Sequence, residues 1–124
     1  MSSEEPIWQP LGRLPLVAAV VDAGLAGARE QLEVLLGARR RRSTVDERIL
    51  ATVTAVFTRF RNDTDFYDEQ LHRWGREKLS LKQRREVDRL ADQVYRFRQV
   101  IEDVLGVARE LAGEGSSIGN RSGR

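Results

Sequence analysis

SLKQRREVDRLADQVYRFRQVIEDVLGVARELAG, residues 80–113, decides the fold. Val87, Leu90, Val94, Phe97, Ile101, Val104, Ala108 and Leu111 follow one another at alternating spacings of three and four. That is an a/d heptad, and it draws one apolar seam down a helix roughly 48 Å long at 1.5 Å per residue. A seam of this length is not stable in water, so the rest of the chain must cover it.

Two further stretches carry matching seams. Leu14, Ala18, Val21, Leu25, Ala28, Leu32 and Leu35 mark a first helix. Pro15 suits its first turn and Gly37 is the expected stop. Leu50, Val53, Phe57, Phe60, Thr64, Tyr67, Leu71 and Trp74 mark a second helix, in which Thr64 is the one polar member. Thr44 with Glu47, and Ser80 with Gln83, have the spacing of capping boxes. RNDTD, residues 61–65, is poor in helix formers, but the seam keeps its register across it, so one continuous helix is expected. Nothing alternates like a strand, and proline is confined to the first 15 residues.

The expected class is all-α: an up-down-up antiparallel bundle with helices near 14–37, 45–75 and 81–112. An extended arm, 1–13, precedes it, with Trp8 expected to dock on the bundle. The tail 113–124, GEGSSIGNRSGR, is Gly/Ser-rich and expected to be disordered. At 124 residues the chain is one domain by length.

The net charge is only +2, from 21 basic and 19 acidic residues that mostly interleave, as on solvated helix faces. Nineteen of the 21 basic residues are Arg. The chain has no Cys and a single His, His72, which excludes thiolate chemistry and multi-histidine metal sites within one chain. Phosphate-cradling glycine motifs and a nucleophile elbow are absent, so no enzyme activity and no cofactor are expected. The N-terminus lacks the positive segment of a signal peptide. The apolar run 14–28 is short for a span and contains Asp22. A soluble, cytoplasmic protein without a membrane is the expectation.

Three groups could carry function. Helix 1 spreads small and apolar residues around its circumference, and its two glycines cost helix propensity, which suggests a packing reason. Val17, Val20, Gly24 and Gly27 are the expected contact with a second copy or another helical protein. Arg39, Arg40, Arg41 and Arg42 form the densest charge and are candidates for sequence-independent contact with nucleic-acid backbone. Glu69 and His72 form an E-x-x-H, which resembles the paired motif of ferritin-like di-iron bundles over four residues only. A symmetric dimer would bring two copies, with Glu30 or Glu33 as added ligands. In this register, however, Glu69 and His72 face solvent. An interaction and assembly module is thus the leading expectation, nucleic-acid binding the alternative, and a metal site across a dimer the remote one.

If the seam of helix 3 is the core, Phe97→Ala should cost ~3–5 kcal/mol in chemical denaturation. A variant that melts like wild type would contradict the seam.

Overall fold

The computed structural model describes residues 7–122, and side chains from 7 to 113. It is a bundle of three helices: α1 (Leu14–Arg40), α2 (Glu47–Gly75) and α3 (Leu81–Ser122). Among the described residues there is no strand.

α3 is the element on which the others rest. All eight of its seam residues, Val87 to Leu111, are buried. α1 and α2 each pack along α3 and touch each other far less. The apolar core falls into two clusters. One gathers Leu25, Leu35, Leu50, Phe57, Phe97, Ile101 and Val104 with their neighbours. The other gathers Leu14, Val21, Leu71, Trp74, Leu90 and Val94. At the junction of these clusters, Thr64 is fully buried. Its hydroxyl donates to the Arg61 carbonyl (2.7 Å) and accepts from Arg98 Nε (3.2 Å). The Arg98 guanidinium also reaches Asp65 (3.0 Å) and Asp68 (2.7 Å). The polar member of the α2 seam is thereby satisfied inside the bundle rather than orphaned.

Of the aromatic seam residues Phe57 and Phe97 are buried, and Phe60 packs against them. Phe60 meets Phe57 edge-on at 5.2 Å and Phe97 at 5.9 Å. Tyr67 is half-buried at the edge of the second cluster. α2 runs unbroken through Arg61–Asp65. Ser80 and Gln83 form their capping box, Gln83 N–H to Ser80 Oγ at 3.1 Å and Ser80 N–H to Gln83 Oε1 at 2.8 Å.

The element ends differ from the sequence reading in four places. The arm is not extended throughout, because Leu11–Arg13 forms a 3₁₀ turn leading into α1. α2 is capped by Asp46, which accepts from the Arg48 N–H at 2.8 Å, and not by the Thr44 and Glu47 pair. Asp places an acceptor directly beside the first free N–H groups, so the later cap wins. α1 passes Gly37, which is buried beneath the Arg41 guanidinium, and ends at Arg40. Its end is a Schellman arrangement: Ser43 N–H bonds the Ala38 carbonyl (2.9 Å) and Arg42 N–H the Arg39 carbonyl (3.1 Å). Arg42 takes the left-handed position, φ 53°, that glycine usually fills. Finally, the α3 backbone continues past Gly113 to Ser122 instead of ending there. No proline follows Pro15, so nothing interrupts the i to i−4 ladder, and glycine weakens a helix without forbidding it. Residues 1–6 and 123–124 of the expected arm and tail lie outside the described residues.

A Cβ placed on Gly24 would meet the Phe97 ring at 2.9 Å, whereas one on Gly27 would meet nothing within 4 Å. The close neighbour that a helical glycine implies is therefore a ring of α3 for Gly24 only. Gly24→Leu should destabilise by ~1–3 kcal/mol through overpacking. Gly27→Ala, measured in dilute solution, should stabilise by up to ~1 kcal/mol. Equal effects at the two sites in denaturant titration would contradict this placement.

Candidate interaction surface

α1 has two opposite faces. Its inner face, from Leu14 through Val21 and Leu25 to Leu35, is spent on the core. Its outer face carries Leu16, Val20, Ala23, Gly27 and Val34, all exposed. Leu16 is 53% exposed, Val20 47% and Val34 63%. The spacings among Leu16, Val20, Ala23 and Gly27 are four, three and four, so these side chains stack on one side of the helix.

From Leu16 to Gly27 this face carries no charge. Between Leu14 and Ala28 the one ionisable residue is Asp22, and α3 takes it up. Arg89 binds Asp22 through both terminal nitrogens, at 3.1 and 3.0 Å, and Gln93 Nε2 donates to it at 3.0 Å. Arg89 also grips Glu86. The hydrogen bonds from Arg89 hold the Asp22 and Glu86 carboxyls below their usual range, against the smaller opposing effect of burial. In return, first Glu86 and then Asp22 fix Arg89 more firmly in its charged form.

The four interface candidates of α1 do not stand together. Val17 is buried in the core and Gly24 lies over Phe97, while Val20 and Gly27 are exposed. Leu16, Ala23 and Val34 occupy the outer face with the latter two. Of the apolar residues outside the seams, Leu105 and Val107 are buried, and Leu36 and Val100 are packed against the core. On α1, Leu16, Val20 and Val34 are the large apolar side chains left exposed.

The basic candidates sit in the turn after α1. Arg39 pairs with Glu110 of α3 at 3.0 Å, Arg41 lies over Gly37, and all four arginines are exposed. A second basic group, Arg73, Arg76, Lys78, Lys82, Arg84 and Arg85, lies around the α2–α3 connector, where Arg84 donates to the Gly75 carbonyl at 3.4 Å. The E-x-x-H residues do not converge with other donors. Glu69 is engaged by Arg73 (3.2 Å) and Arg76 (3.6 Å), and His72 is exposed. Among the described residues no three acidic, His or Cys side chains are placed to hold one ion.

Trp8 docks on the bundle as its size suggested, against residues that lie off the seams. Trp8 stacks on Phe66 at 5.2 Å, the rings 2° from parallel, and the Arg73 guanidinium lies over the Trp8 ring at 4.1 Å. Gln9 donates its N–H to Gln70 Oε1 (2.6 Å), and its carbonyl accepts from Trp74 Nε1 (3.0 Å) and Gln70 Nε2 (3.3 Å). Gln70 and the indole N–H of Trp74 are thus satisfied by one backbone residue of the arm. Phe66, Gln70 and Arg73 lie one turn apart on α2, away from its seam. That spacing was the available signal.

By length and composition Leu11–Arg40 could cross a membrane, with a mean hydropathy of 1.4 over 18 residues, a third of them buried against the rest of the chain. The core helix of a soluble protein passes the same test.

The chain matches no family model, and no curated protein or solved structure resembles it significantly. Fold and surface define an all-α helical bundle with exposed apolar side chains on one face of α1.

Arg89→Gln should be less stable than wild type at neutral pH. Both carboxylates have lower values folded than unfolded, so their contribution is present above the ordinary carboxylate range of about 4 and is lost as pH falls through the lowered folded values. The gap between variant and wild type should therefore close in acid. A gap that is constant with pH in thermal melts would contradict an electrostatic role.

Proposed function

We propose that the protein is a non-enzymatic helical interaction and assembly module, which self-associates or binds a partner helix through the outer face of α1. The observation that carries this reading is that face: exposed, apolar, helically spaced, and uncharged from Leu16 to Gly27 because Asp22 is turned to Arg89. Exposed Leu and Val side chains stacked on one side of a helix fit a helix-in-groove or helix-on-helix contact. Single exposed apolar residues need no such explanation, but several in register do.

The scaffold in this proposal is an up-down-up coiled-coil bundle. The order of cross-helix pairs supports it. Asp22 with Arg89 and Arg39 with Glu110 rise together along α1 and α3. Arg61 with Glu102 and Asp65 with Arg98 run oppositely along α2 and α3. Burial of residues at alternating three and four spacings fits left-handed packing near +20°. The module acts in a soluble, cytoplasmic setting. The ion-paired Asp22 within the apolar stretch of α1 supports that setting over insertion in a bilayer.

The test is the double variant Leu16→Glu/Val20→Glu. It should change stability by no more than ~0.5 kcal/mol per site, as surface substitutions do. Light scattering at high micromolar concentration should give a wild-type mass above the 14.1 kDa of one chain and a variant mass equal to it. A monomeric wild type that the same variant destabilises by ~2–5 kcal/mol, like a core change, would contradict the reading, because the face would then be used inside the chain.

A further inference from the structure

The outer face of α1, taken with Arg13 at the end of the 3₁₀ turn that leads into it, has the same pattern read in either direction. Arg13, Leu16, Val20, Ala23, Gly27 and Glu30 follow at spacings of three, four, three, four and three. Reversing the order leaves the spacing unchanged and pairs Arg13 with Glu30, Leu16 with Gly27, and Val20 with Ala23. Each larger side chain then faces a small one, and the charge at one end faces the opposite charge at the other.

We infer that the partner of this face is a second copy of the chain, packed antiparallel about a two-fold axis midway between Val21 and Asp22. This rests on the reading of α1 as the interaction helix, and it adds the identity, direction and register of the partner.

Three observations support the second copy. Leu16 and Val20 are about half exposed, and a Cβ on Gly27 would meet nothing within 4 Å, so there is space over Gly27 for the partner's Leu16. Arg13 and Glu30 are exposed and, among the described residues, form no ion pair within the chain. Between them this face is uncharged, since Asp22 is bound to Arg89. Charge also selects the direction. A parallel pair would set Arg13 against Arg13 and Glu30 against Glu30, whereas the antiparallel pair makes two opposite-charge contacts. A two-fold interface must be self-complementary, and this seam is complementary to itself in size and charge at one register. Small residues at the crossing let the two backbones approach closely.

The absence of cysteine gives a clean test. The full-length variants Leu16→Cys and Gly27→Cys are mixed and oxidised at high micromolar concentration. The expected product is the mixed disulfide between positions 16 and 27, with little product from either variant alone, because two copies of position 16 lie roughly 16 Å apart along the pair at 1.5 Å per residue. Without any new thiol, Arg13→Glu should raise the dimer dissociation constant several-fold in sedimentation equilibrium, and Arg13→Glu/Glu30→Arg should restore it. Self-linking of Leu16→Cys, or no rescue by the charge exchange, would overturn the antiparallel register while leaving the outer face as a binding surface. A wild type that stays monomeric would overturn the second copy as partner. In that case unchanged stability of Leu16→Glu/Val20→Glu would still leave the face free for a different helix, and core-like destabilisation would remove the parent reading as well.

Discussion

The structure depends on the burial of one seam, that of α3. Leu90, Val94, Ile101 and Val104 are fully enclosed because α1 lies along one side of that seam and α2 along the other. Neither outer helix has much of the other to hold on to. Isolated helices are marginal in water, so α1 and α2 are helical largely because α3 gives their apolar stripes a place to go. Phe97 is the point at which both are committed, since its ring reaches Phe60 of α2 and lies beneath Gly24 of α1. The missing side chain at position 24 makes room for the ring that fills the centre.

Because α1 and α2 meet so little directly, two other devices connect them. The arm carries Trp8 and Gln9 onto α2 and then turns through Leu11–Arg13 into α1, so the start of α1 is tied to the far half of α2. The polar layer of Thr64 and Arg98 fixes the register of α2 on α3, with Asp65 and Asp68 completing the contacts of the guanidinium. A slide by one turn would part Arg98 from Thr64, Asp65 and Asp68, while the Thr64 hydroxyl kept its bond to the Arg61 carbonyl of its own helix. The apolar seams alone would tolerate such a slide better.

Much of the fold was legible because the decisive signal is periodic. The seam residues of α3, from Val87 to Leu111, follow from spacing alone, as do the continuity of α2 across residues 61–65 and the Ser80 cap. What periodicity does not carry is the identity of a neighbour. Helical spacing placed Val17, Val20, Gly24 and Gly27 on a stripe, but α3 takes Val17 and Gly24 inward, and the exposed stripe runs one residue over, through Leu16 and Ala23. The choice between these neighbouring stripes depends on where the Phe97 ring points, a tertiary fact. Helix ends were legible only in part for a related reason. Arg42 adopts the left-handed turn in place of a glycine, and Asp46 displaces Thr44 as a cap, because local hydrogen bonding decides among several adequate residues. The contacts of Trp8 with Phe66 and Arg73 depend on residues off every seam.

The claim on which the account rests is that α3 is the common support of both outer helices. Native-state hydrogen exchange resolved by residue tests it most directly. The amides of residues 90–104 should be the slowest in the chain and should exchange only through global unfolding, with the amides of α1 and α2 opening at equal or lower free energy. Amides of α1 that outlast those of α3 at the level of Phe97 would contradict the account.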